Sequence, residues 1–194
     1  MKSKGEATRS RILATARNLI NTKGFTATTI NDLVEATGTQ KGGIYFHFDG
    51  KESLGLAVLE EARLEFMEFL STALEGDTPL ARLEGFFRSA LDKHLATGFV
   101  GGCIFGNLAL EMSDLDARFA GVIERVFDEW VAILEDVIAA AQASGELRTD
   151  FSPESLAVQI VATIEGGIML SRLKKKEEPM RQCIEILRRT LMPK

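Results

Sequence analysis

Thr28-Thr29-Ile30, then Gly38-Thr39-Gln40-Lys41-Gly42-Gly43-Ile44-Tyr45-Phe46-His47-Phe48, then Lys51-Glu52-Ser53-Leu54 is the stretch on which the fold turns. Its pattern predicts two short helices joined by a tight, glycine-bearing turn. Thr28 or Thr29 caps the first, because a hydroxyl just before a helix accepts from an orphan backbone N–H. That helix carries Ile30, Leu33 and Val34. Ala36-Thr37-Gly38-Thr39 forms the turn, and Gln40 to Phe46 reads as the second helix. An earlier helix, from about Thr8 to Thr22, turns Ile12, Ala16, Leu19 and Ile20 inward and stops at Lys23-Gly24. Phe25 follows as a core plug. A pair of short helices braced by a third is a helix-turn-helix, whose second helix enters the major groove of DNA.

Outward from this unit the chain remains helical. Apolar residues recur at three- and four-residue spacing, and glycine and proline punctuate them. Asp49-Gly50-Lys51-Glu52 has the shape of a capping box and opens a long helix reaching about Leu74. Thr78 caps the next helix, with Pro79 at its first position. Further helices are expected at about 79–96, 102–112, 114–144, 153–173 and 178–191. Ser113 is read as the cap of the third of these, Ser144-Gly145 as its end, and Ser152-Pro153 as the start of the fourth. The fold class is all-α with about nine helices. Residues 1–50 are expected to form the helix-turn-helix domain, and 51–194 a helical effector-binding and dimerisation domain.

The formal net charge is −5, but it is unevenly spread. Residues 1–51 hold eight Lys/Arg against four Asp/Glu, and the remainder holds fifteen against twenty-four. A basic head on an acidic body suits a protein of which one part meets phosphate. Two cysteines, Cys103 and Cys183, lie far apart without metal-ligand spacing, so neither a disulfide framework nor a metal site is expected. No cofactor is expected either. No apolar run approaches the roughly 18 residues of a membrane span. The start, Met1-Lys2-Ser3-Lys4-Gly5-Glu6, has no apolar signal segment, which predicts a cytoplasmic protein without a membrane partner.

Within the second short helix, Lys41, Tyr45 and His47, with Lys51 beyond, place donors suited to phosphate. Gly42 and Gly43 each cost about 1 kcal/mol against alanine in a helix. They make sense where backbone must approach bases or phosphates. Ile44 and Phe48, four apart, face inward. Taken singly, Tyr45, Phe46 and His47 read as packing residues. Taken with the turn and the basic head, the set points to DNA.

These residues and spacings resemble the DNA-binding domain of the TetR family of repressors. That domain shows Thr-Thr-x-Ile, Gly-x-Leu/Ile-Tyr-x-His-Phe and Lys-Glu-x-Leu in this order. The match covers about a quarter of the chain. Asp49-Gly50 departs from it, where Lys or Ser is frequent, and lowers the local positive charge. The resemblance implies that Thr28 or Thr29 meets phosphate at a helix N-terminus. It implies that Lys41, Tyr45, His47 and Lys51 hold the DNA backbone and set register. Thr39, Gln40, Gly42 and Gly43 would face base edges, with Gln40 able to pair bidentately with adenine. The partner would be double-stranded operator DNA. The resemblance further implies a ligand-controlled homodimer that reads a pseudo-palindromic operator.

The body of the chain carries matching signals. Leu156 to Leu170 is apolar around most of its circumference, and Ala157, Ala162, Gly166 and Gly167 permit close helix approach. A helix apolar on two faces must be buried twice, which points to dimerisation through 153–173 and 178–191, with a central helix buried within one subunit as the alternative. The middle of the chain is rich in aromatics, as ligand sites often are. Phe66, Phe87, Phe99, Phe127 and Trp130 are the aromatic candidates for an effector site. Cys103, Asn107 and Glu111, four apart on one helix face, are its polar candidates. The alternative is that the aromatics are core and Glu111 is exposed. Cys103 reads as an inert buried thiol, with electrophile sensing as the competing reading. Lys174-Lys175-Lys176 is read as a solvated helix end. Only two histidines occur, with no nucleophile elbow and no phosphate-cradling loop, so an enzyme is not expected.

Overall fold

The structure, a computed structural model, describes residues 3–193. The outermost residues of the expected domains, Met1, Lys2 and Lys194, lie outside it. Among the described residues there are nine α-helices and no strand. They are α1 (Lys4–Lys23), α2 (Ile30–Thr37), α3 (Lys41–His47), α4 (Lys51–Ala73), α5 (Pro79–Leu95), α6 (Ile104–Met112), α7 (Ala117–Ala143), α8 (Pro153–Lys174) and α9 (Glu178–Leu191). The number and order of helices match the expectation.

Two helix starts differ from it by three residues or more. Helix α1 begins at Lys4, because Ser3 and Glu6 form a capping box: Glu6 N–H donates to Ser3 Oγ at 3.2 Å, and Ser3 N–H donates to Glu6 at 2.6 Å. Ser113 does not cap α7. It follows the last residue of α6, and its hydroxyl donates back to the Ala109 carbonyl at 2.6 Å. Asp116 takes the place before α7 and accepts the Arg118 N–H at 2.9 Å.

The chain forms two compact units, and their boundary differs from a cut at residue 50. Among the described residues, one unit runs from Ser3 to Leu64 and adds Cys103–Glu124; the other comprises Glu65–Gly102 and Arg125 to Pro193. In the first unit, α1 packs on α2 and α6, and α2 on α3. Ile12, Leu13, Ala16 and Ile20 of α1, Leu33 of α2, and Ile44 and Phe48 of the α3 region supply the buried apolar side chains. Phe25 is buried as expected, its ring centroid 4.7 Å from that of Phe119. Both rings lie over Gly55, where an added Cβ would come within 2.5 Å of Phe25 and 2.8 Å of Phe119. Only glycine lets α4 pass this close.

In the second unit, α8 pairs along α9, and α5 also meets α9. Gly167 brings the two backbones together, a Cβ there meeting the Met180 Cα at 3.3 Å. Ser171, fully buried, accepts the Met180 N–H at 3.0 Å and so fixes the start of α9. Arg188 of α9 pairs with Glu84 of α5 at 2.7 Å. Arg148 donates to the Thr190 carbonyl at 2.9 Å and pairs with Asp150. Lys175, expected to be solvated, ends α8 in the left-handed region (φ 54°) and donates to the carbonyl of Phe99, itself at φ 58°. Helix α8 alone among the described helices is long and apolar enough to span a bilayer. Its inner face, from Leu156 to Ser171, is buried within its own unit.

His94 of α5 stacks on Phe99 with ring centroids 6.3 Å apart. Burial first, and then the neighbouring Lys93 ammonium, push its pKa down from 6.5 to about 4. The unfolded chain therefore binds a proton that the folded chain rejects. Stability is complete above about pH 6.5 and declines as pH falls toward 4, with a limiting slope of about 1.4 kcal/mol per pH unit. His94→Gln is expected to flatten this decline in urea midpoints measured between pH 7.5 and 4.5. An unchanged slope in the variant would remove His94 as its source.

Candidate nucleic-acid interface

The α2–turn–α3 segment is shaped by short-range bonds that its sequence specifies. Thr29 caps α2: its hydroxyl accepts the Asp32 N–H at 3.1 Å, and Asp32 accepts the Thr29 N–H at 2.7 Å. Lys23 pairs with Asp32 at 2.9 Å. That bond first, and then those from Thr29, hold the Asp32 carboxyl at about 2. Gly38, at φ 66°, ends α2 by donating to the Val34 carbonyl at 2.9 Å. The turn closes when Thr39 N–H donates to the Thr37 hydroxyl at 3.1 Å. Gln40 then opens α3 through its carbonyl, and its side chain makes no capping bond.

The sequence candidates fall into two groups in this setting. Gln40, Lys41, Gly42 and Tyr45 are exposed on α3, while Ile44 and Phe48 are buried. Lys41 lies over the Tyr45 ring, 5.9 Å from its centroid. Phe46, open to packing or surface on sequence, is 83% exposed, one helical turn beyond Gly42. A Cβ at Gly42 would meet nothing within 4 Å, whereas one at Gly43 would press on Thr39 at 2.9 Å. Close packing within the turn thus accounts for Gly43, and open space remains at Gly42. His47 is half-buried, its ring 5.1 Å from Phe46.

Other candidates also make bonds within the unit. Of the two threonines, Thr28 is buried and donates to the Gly24 carbonyl at 2.6 Å, leaving Thr29 at the surface. Lys51 donates to the Thr26 carbonyl at 3.0 Å, with its ammonium 4.6 Å from the Phe25 centroid. Arg11, which the motif reading passed over, donates to Thr39 at 3.2 Å. It adds an exposed cation beside α3. The signal available for it was the basic composition of the head.

The polar effector candidates of α6 sit beneath the connector between α1 and α2. Glu111 is half-buried and accepts two backbone N–H groups, Phe25 at 2.9 Å and Thr26 at 2.7 Å. Burial pushes its pKa up, but the bonds from Thr26 and Phe25 outweigh this and hold it below the usual range. Gly24, at φ 94°, makes room: a Cβ there would stand 3.2 Å from the carboxylate. Asn107 donates to the Asn21 side chain at 2.8 Å. Cys103 is half-buried at the start of α6 and makes no capping bond through sulfur. The aromatic candidates belong to the second unit. Trp130, Phe87 and Phe99 are buried there, and Phe66 and Phe127 half-buried. Phe66 and Phe127 flank Trp130 at 5.1 and 6.1 Å.

The chain's likeness to known proteins agrees with this geometry. The family model described as bacterial regulatory proteins, tetR family, matches residues 12–58. A tetracyclin repressor-like C-terminal domain matches residues 79–187. The transcriptional regulator AcuR of Cereibacter sphaeroides is 33% identical over 81% of this chain and 73% of its own length. The transcriptional repressor DhaR of a Mycobacterium species is 28% identical over 88% and 85%. A solved regulatory protein TetR from Rhodobacter sphaeroides, 29% identical, superposes with a TM-score of 0.89 over 94% of this chain and 98% of that one. A TetR transcriptional regulator from Chloroflexus aurantiacus, 32% identical, gives 0.85 over 95% and 93%. The chain belongs to the TetR family of DNA-binding transcription regulators, proteins that work as effector-responsive dimers and not as enzymes.

Proposed function

We propose that the chain is a cytoplasmic homodimeric repressor that leaves a palindromic operator when a small molecule binds. The exposed row of Gln40, Lys41, Gly42 and Tyr45 on α3, backed by buried Ile44 and Phe48, carries the DNA part of this reading. Gln40, Gly42, Gly43 and Thr39 line the base-facing side. Lys41, Tyr45, His47, Thr29 and Lys51, joined by Arg11, address phosphates. Dimerisation runs through α8 and α9. Val158, Met169 and Leu173 are 51%, 57% and 78% exposed. With Ala162 and Gly166 they form a stripe at helical spacing on the side of α8 away from its own core. Phe66, Phe87, Phe99, Phe127 and Trp130 supply the effector site of the second unit. Cys103, Asn107 and Glu111 belong to the first unit, where Asn107 bonds to Asn21 of α1 and Glu111 holds the connector, so the effector reading rests on the aromatic residues.

Fluorescence anisotropy on the DNA flanking the protein's own gene, at two salt concentrations with unrelated competitor, tests this. Lys41→Ala is expected to weaken all sequences alike and reduce the salt slope by about one phosphate. Gln40→Ala is expected to relax preference at one base pair by about 1–3 kcal/mol. Parent binding no tighter than to competitor counts against an operator at that locus. An unaltered Gln40→Ala variant rules out the base contact.

A further inference from the structure

Trp130 is the chain's single tryptophan, 3% exposed, and its indole N–H has no acceptor. Buried donors are nearly always hydrogen-bonded, since stranding one costs stability that packing does not return. Three phenylalanine rings pack against this one. Phe66 and Phe86 meet it edge-on with centroids 5.1 and 6.0 Å away, and Phe127 stacks at 6.1 Å. Phe86 is fully buried, whereas Phe66, Phe69 and Phe127 are half-buried and form the side of the cluster nearest solvent. On that side the Lys93 ammonium lies 4.3 Å from the Phe69 centroid and 6.0 Å from that of Phe66. The ring faces that would attract a ligand cation already face one.

We propose that this cluster takes a flat, mainly apolar molecule, neutral or anionic, whose carbonyl or carboxylate oxygen accepts the Trp130 indole N–H. The proposal rests on the effector reading above and deepens it to a chemical class. Because the indole nitrogen is buried, the ligand reaches it by displacing Phe66 of α4 or Phe127 of α7. Ligand entry is thereby tied to movement of one of these rings. Cationic amines are disfavoured by Lys93, and pure hydrocarbons leave the donor stranded.

A single tryptophan gives a single indole N–H resonance, so the full-length ¹⁵N-labelled protein reports this bond directly. Four probes of similar size separate the outcomes: acetophenone, benzoate, ethylbenzene and benzyltrimethylammonium. Acetophenone and benzoate are expected to move the indole proton downfield in a saturable way, and the other two are not. By calorimetry, Trp130→Phe keeps a ring but removes the donor. It is expected to weaken acetophenone about fivefold to tenfold and leave ethylbenzene unchanged. Equal binding of acetophenone and ethylbenzene with an unmoved indole peak would overturn the anchor while sparing an apolar effector site. Preference for benzyltrimethylammonium would overturn the charge class. Absence of saturable binding by all four would overturn the site together with the effector reading of this cluster.

Discussion

Glu111→Ala is expected to weaken binding to specific DNA by at least tenfold while leaving helix content and oligomeric state unchanged. The carboxylate holds two backbone N–H groups of the connector that delivers the chain into α2. Bonds to a charged acceptor are worth about 1.5–3 kcal/mol each when sheltered. Here Thr26 is exposed, so solvent screening reduces the pair to about 2 kcal/mol together. Without them the connector samples other paths. The fraction of molecules presenting α2 and α3 correctly falls, and apparent affinity falls with it. Glu111→Gln keeps one acceptor oxygen and is expected to lose less. The depressed pKa sets the sign of the pH effect. The latch is fully formed above the ordinary carboxylate range and is lost as pH falls through the lower folded value. DNA binding between pH 7 and 8 is therefore independent of this group. Anisotropy titrations beside circular dichroism decide the matter, and parent-like affinity in Glu111→Ala would sink the latch.

The second large effect concerns the stripe on α8. Val158→Glu together with Met169→Glu is expected to convert a dimer to monomers and to abolish tight operator binding. Each apolar side chain covered by a partner contributes about 1.5–3 kcal/mol. An unpaired carboxylate buried in its place costs several kcal/mol more. In the proposed dimer two copies of the stripe meet across a two-fold axis, so every substitution acts twice. The dimer dissociation constant should rise at least a thousandfold, measured by sedimentation equilibrium. Leu110→Glu, on an 89% exposed position of α6, should leave the dimer intact. A double variant that sediments as the parent does would move the interface away from α8.

How far the sequence revealed these features depends on the range of the forces involved. Thr29, Gly38, Thr78-Pro79 and Ser152-Pro153 act within one turn of their own helices, and each is found at the boundary it predicts. Ser3-Lys4-Gly5-Glu6 is an equally local signal, but it lies one turn ahead of the apolar periodicity that marks the helix. Ser113 failed as a cap because α6 ends in a turn that its hydroxyl joins, a competition between two helices for one residue. Tyr45 and Phe46 were ambiguous because periodicity cannot say which aromatic of a seven-residue helix faces the core. Glu111 was beyond local reading: its partners lie 85 and 86 residues away, and only tertiary contact identifies them.

The discontinuity of the first unit has a consequence for synthesis. Its early helices emerge from the ribosome well before Cys103–Glu124, the segment that supplies Glu111 and the Phe119 ring. At about 5–20 residues per second, several seconds separate the appearance of α3 from that of its buttress. During this interval Phe25 has no Phe119 to cover it, and the connector has no carboxylate to hold it. The unit that carries α2 and α3 is thus completed late in translation although its first helices are encoded first. A nascent chain is therefore expected to gain the full packing of its proposed reading helices only once residue 124 has been made.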